Sequence, residues 1–94
     1  MSVVQIKKRN GSVADFDKQR IADAILKASL SVDGEIEIED IALLANTVAD
    51  NLDSLLVDES LPDVETVQDL VEQELMRAGF FQTARSFIIY REEH

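Results

Sequence analysis

From Ile38 onward the apolar residues recur at Ile41, Leu44, Ala45, Val48, Leu52 and Leu55, the spacing of one face of an α-helix sustained over several turns. A helix with one such stripe is stable only if the stripe is covered, so the pattern predicts a helix over residues 38–56 and demands partners for it. The same chain supplies them. Ile21, Ala24, Ile25 and Ala28, with Leu26 on the flank, define a stripe for a helix over 18–30. Val64, Val67, Leu70, Val71, Leu75 and Ala78 define another over 64–78, closed by Gly79. Phe80, Phe81, Ala84, Phe87, Ile88 and Tyr90 mark a fourth helix over 80–92, with Phe80 and Phe81 expected in the core. The link 57–62 is polar and contains Pro62, which opposes a continuous helix through it.

The amino-terminal residues follow a different rule. Val4 and Ile6 alternate with Gln5 and Lys7, a second extended stretch runs from Ser12 to Phe16, and Asn10-Gly11 lies between them. Asn-Gly is a strong hairpin signal because both residues tolerate the positive φ of a type I′ turn, so a β-hairpin is predicted over 3–16. Asp17 is placed to cap the first helix, and Phe16 and Ile21 have hydrophobic-staple spacing around that cap. A two-stranded hairpin cannot cover an apolar face alone and must rest on the helices. The predicted architecture is therefore α+β, mainly α: a four-helix bundle capped by a small sheet, in one domain spanning 1–94.

Charge points to where function resides. The formal net charge is −10, yet residues 1–27 hold six basic side chains against three acids, while residues 28–94 hold three against sixteen. A negative body disfavours nucleic acid and anionic membrane surfaces, whereas a local cluster of Lys7, Lys8, Arg9, Lys18 and Arg20 beside a turn and a helix start suits a small anion such as a nucleotide. Lysines that merely protect an exposed edge strand account for part of the same pattern. Strand alternation would point Lys7 and Arg9 one way and Lys8 the other.

Several chemistries are excluded or disfavoured. The absence of cysteine removes disulfides, thiolate catalysis and zinc-ribbon sites, and the single histidine is the last residue. No phosphate-binding Gly-rich loop, dinucleotide fingerprint or catalytic triad is present. Glu35, Glu37, Glu39 and Asp40 read as a solvated helix start rather than a metal cluster. No segment has the length of a membrane span or the apolar core of a signal peptide, so a cytoplasmic protein that is not itself an enzyme is the expectation.

Three separated motifs sharpen this reading: Lys8-Arg9-Asn10-Gly11-Ser12 followed by Phe16-Asp17-Lys18 and Ile21; Thr66-Val67-Gln68-Asp69-Leu70-Val71-Glu72; and Leu75 to Phe81 with Ala84 to Arg91. Together, in this order and over nearly the whole chain, they resemble the ATP-cone domain. That resemblance implies an allosteric module that binds ATP or dATP, with room for magnesium, and that controls the activity and oligomeric assembly of ribonucleotide reductase subunits. It implies a third strand near Asp63 to Glu65. It also implies phosphate contacts from Lys8 and Arg9, with Arg91 or Arg85 reaching in from the last helix. Ala14, Asp15, Phe16, Asp17, Lys18 and Arg20 match the segment that holds adenine and ribose, and Val64 and Gln68 match positions lining the pocket. Ala14 stands where a polar side chain often contacts the base, which leaves open a domain of the same fold that has lost its nucleotide and serves as a protein-interaction surface. The family's repressor branch carries a zinc ribbon, whose cysteines are absent.

Overall fold

The computed structural model describes residues 5–55 and 61–93. Strands β1 (Gln5–Lys7) and β2 (Val13–Asp15) form an antiparallel pair, followed by helices α1 (Lys18–Leu30), α2 (Ile38–Leu55), α3 (Val64–Arg77) and α4 (Phe81–Glu93). The hairpin's first residues and the end of the helix expected to reach residue 56 lie outside the described residues.

The helices close a ring in which α1 packs on α2 and α4, and α3 packs on the same two. Its centre is built from the predicted stripes: Ile21, Ile25 and Ala28; Ile41, Leu44, Ala45, Val48 and Leu52; Val67, Leu70, Val71 and Leu75; Ala84 and Phe87. Ile36, in the loop before α2, is also buried, and its backbone N–H donates to the buried hydroxyl of Ser29 at 2.9 Å. Ile6 and Phe16 pack against this core and seat the hairpin on it.

Helix ends follow local chemistry. The Asp17 carboxylate accepts from the Gln19 N–H and opens α1. Helix α3 ends in a Schellman arrangement, with Phe80 N–H donating to Leu75 O at 2.9 Å, Gly79 N–H to Met76 O at 3.1 Å, and Gly79 at φ 87°. Helix α4 has no capping side chain next to it in sequence. Glu35 supplies one from the α1–α2 loop, accepting from the Thr83 N–H at 2.8 Å and the Thr83 hydroxyl at 2.7 Å.

Several expectations change. Leu55 and Ala78, the last residues of their stripes, are exposed. The hairpin turn is not a two-residue type I′ turn: Lys7 pairs with Val13, Lys8 N–H donates to Ser12 O, and Gly11 N–H donates to Lys8 O. The loop is thus Arg9-Asn10-Gly11, and Gly11 alone in it has positive φ, at 88°. The Asn10 side chain instead closes the loop by accepting from Ser12 N–H at 3.0 Å and the Ser12 hydroxyl at 2.6 Å. The third strand reduces, among the described residues, to one parallel bridge between Lys7 and Asp63, because Asp63 caps α3 and the helix begins at the next residue. Finally, Phe81 is 64% exposed, since it starts α4 outside the ring, whereas Phe80 is partly buried against the core.

Candidate functional site

The three-residue turn determines where Arg9 goes. Arg9 lies in the loop rather than in a strand, and the loop is fixed to the start of α3 by Lys7 N–H donating to Pro62 O at 2.8 Å. The Asp63 carboxylate then caps α3, accepting from the Thr66 N–H and hydroxyl, each at 2.9 Å. Helical spacing places Glu65, Gln68, Asp69 and Glu72 along one side of α3. Arg91, in the last turn of α4, completes the set.

These side chains form a continuous network. Arg9 donates from Nε to Glu65 Oε1 at 2.6 Å and from Nη2 to Gln68 Oε1 at 3.2 Å and Arg91 O at 3.3 Å. Arg91 donates from Nη1 to Asp69 Oδ1 at 2.9 Å and Glu72 Oε1 at 2.6 Å, and from Nη2 to Glu65 Oε2 at 2.8 Å. Glu65 therefore bridges both guanidinium groups. Beside the network opens a cavity of about 570 Å³ lined by Arg9, Glu65, Glu72, Ile88, Arg91 and Glu92.

The electrostatics are asymmetric. The Arg91 side chain is 12% exposed, while Arg9 and Glu65 are 44% and 50% exposed. Burial alone would favour deprotonation of Arg91, but hydrogen bonds to Glu72, Asp69 and Glu65 outweigh it and hold the guanidinium firmly charged. The hydrogen bond from Arg91, opposed by burial and reinforced by Arg9, keeps the Glu65 carboxyl below its ordinary range. Two planar, fixed-charge forks facing one cavity suit phosphate oxygens, which guanidinium groups bind in paired hydrogen bonds.

The expected site residues fall into separate groups. Arg9 and Arg91 line the cavity and Gln68 is joined to them through Arg9 without lining it, with Val64 half-buried at the head of the same helix. Lys8 is exposed on the hairpin; Ala14 pairs with Ile6 and Asp15 with Gln5. Phe16 is packed against the core, Asp17 serves as the α1 cap, and Lys18 and Arg20 are exposed in the first turn. None of the residues from Ala14 to Arg20 lines the cavity. Arg85 lines a different cavity, of about 460 Å³, with Ser31, Val32, Gln82, Ser86 and Ile89. Glu65, Asp69 and Glu72 were not anticipated; their spacing along α3 opposite its apolar stripe was the available signal. Among the described residues no group of three or more acidic or histidine side chains is arranged to hold a metal ion, and no helix is long and apolar enough to cross a membrane.

Comparison with known proteins agrees with this architecture. The family model described as the ATP cone domain matches residues 4–94. The chain is similar to a vitamin B12-dependent ribonucleoside-diphosphate reductase of Thermoplasma acidophilum, at 38% identity over 97% of this chain and 12% of the relative. It is 33% identical to the ribonucleoside-diphosphate reductase subunit alpha of Chlamydia pneumoniae, over 97% of this chain and 9% of the relative. An anaerobic ribonucleoside-triphosphate reductase of Salmonella typhimurium is 33% identical over 94% of this chain and 12% of its own length. The chain thus spans about a tenth of the length of these relatives. With a family match over almost every residue and the ring of four helices carrying a hairpin, the chain belongs to the ATP-cone domain family.

Proposed function

We propose that this chain is an allosteric nucleotide-binding domain, taking ATP or dATP, that regulates the activity and assembly of a ribonucleotide reductase and has no catalysis of its own. The observation that supports this most is the convergence of Arg9, from the hairpin turn, and Arg91, from the last helix, on one cavity. In this reading both guanidinium groups bind the phosphates, with Lys8 contributing charge at the rim. The segment from Ala14 to Arg20 receives base and ribose, and magnesium accompanying the nucleotide takes its ligands from phosphate oxygens and water. Regulation then requires ATP and dATP to stabilise different arrangements of the domain or its neighbours, since an effector shifts an equilibrium only through differential affinity.

Calorimetric titration with ATP and dATP tests the reading. Saturable binding that Arg9→Ala weakens by about tenfold or more, the loss of one charge-assisted contact, is the expected result. Heats indistinguishable from dilution would contradict it. A second reading, a protein-interaction domain without a ligand, draws on the carboxylates already paired with both guanidinium groups and on Ala14. It predicts an assembly state that responds to salt and not to nucleotide when followed by size-exclusion chromatography.

A further inference from the structure

We propose that Glu65 is a built-in competitor for the phosphate groups of the ligand, setting nucleotide affinity by occupying Arg9 and Arg91 until phosphate displaces it. The inference rests on the nucleotide-binding reading above. Its basis is the division of labour among the carboxylates. Asp69 and Glu72 contact Arg91 alone, at 2.9 and 2.6 Å, and hold that side chain against α3. Glu65 is the residue that engages both arginines, one through each carboxylate oxygen, at 2.6 Å to Arg9 and 2.8 Å to Arg91. It thus presents two oxygens to two guanidinium groups, as a phosphate would.

Exposure makes the exchange feasible. Glu65 and Arg9 are each about half exposed, so their pair is weak and can open without disturbing the core. Arg9 would keep its bonds to the Gln68 side chain and the Arg91 main chain, which preserve its aim after Glu65 leaves. Arg91 would keep Asp69 and Glu72. Glu65 alone can therefore be removed from the network with both arginines still positioned. The hairpin stays tied to the start of α3 through Lys7 N–H on Pro62 O, and Arg91 keeps its bond to the Glu65 main-chain oxygen at 3.4 Å.

The test is calorimetric titration of ATP into the full chain and its Glu65→Gln variant, with Glu39→Gln on α2 as a control carrying the same change in net charge. Circular dichroism establishes that each variant is folded. The proposal predicts that Glu65→Gln binds ATP about tenfold more tightly, from the two ion pairs to Arg9 and Arg91 no longer broken and one like charge removed beside the phosphates. The gain shrinks in high salt, and Glu39→Gln lacks it. Binding by Glu65→Gln where the unsubstituted chain binds too weakly to detect supports the proposal equally. Unchanged or weaker affinity in Glu65→Gln, or the same gain in Glu39→Gln, overturns the competitor while leaving the nucleotide site intact. Absence of ATP binding in both folded proteins overturns the site and the competitor together.

Discussion

Arg9 Nη2 donates to the main-chain oxygen of Arg91 at 3.3 Å, so the hairpin turn and the last helix meet across 82 positions of sequence. The contact depends on the turn having three residues. A two-residue turn at Asn10-Gly11 would pair Arg9 with Ser12 in the ladder and commit it to a strand face; with Lys8 paired to Ser12, Arg9 is released to reach α3 and α4.

The ring core should be intolerant of truncation. Ile25 and Leu75 are both fully buried, and Ile25→Ala or Leu75→Ala is expected to cost about 2–5 kcal/mol through lost burial and a residual cavity. Urea unfolding followed by circular dichroism measures this.

The tie between Glu35 and Thr83 should act as a remote cap. Thr83 is fully buried and Glu35 satisfies both its N–H and its hydroxyl. Removing the acceptor in Glu35→Ala should destabilise the fold by about 1–3 kcal/mol, the cost of unpaired buried donors. Glu35→Gln, which retains an acceptor oxygen, should lose less in the same unfolding assay.

Acid should weaken the fold through this residue and two others. Burial alone would raise the Glu35 carboxyl, but the Thr83 hydroxyl and the backbone N–H groups of Thr83 and Gln82 hold it below its ordinary 4.5. The Thr66 N–H and hydroxyl hold Asp63 below 3.8, helped by the charge of Lys7, and Arg91 and Arg9 hold Glu65 below 4.5. A carboxyl depressed on folding contributes stability that is complete above its unfolded value and lost as pH falls through its folded value. The thermal midpoint should therefore fall as pH drops below about 4.5, less steeply in Glu35→Gln.

At Gly79 the backbone is left-handed, at φ 87°, with open space where a Cβ would stand. Gly79→Ala should cost about 1–2 kcal/mol from backbone strain rather than steric clash, as read by thermal unfolding.

Local signals carried most of the fold. The stripes around Ile25, Val48 and Leu75, the Asp17 cap and the Gly79 terminator each depend on residues within a turn or two, and apart from Leu55 and Ala78, which are exposed at the ends of their stripes, they are where periodicity and capping chemistry place them. The exposed position of Phe81 was not legible, because an aromatic at the first position of a helix carries no mark of which side faces the ring. Nor was the cap from Glu35, which comes from 48 residues away. The candidate site was legible as a set of cations and not as a network. Arg9 and Arg91 stand out in an acidic chain, but the partners that neutralise them, Glu65, Asp69 and Glu72, look in sequence like an ordinary solvated helix face.

The most direct test of the account follows the side-chain Nε–Hε resonances of Arg9 and Arg91 by nuclear magnetic resonance while ATP is added, with Arg77, paired to Glu74 on α3, as reference. Saturable shifts of both Arg9 and Arg91, with one common dissociation constant and little change at Arg77, are expected. Saturable binding that leaves Arg9 and Arg91 unmoved would contradict the account.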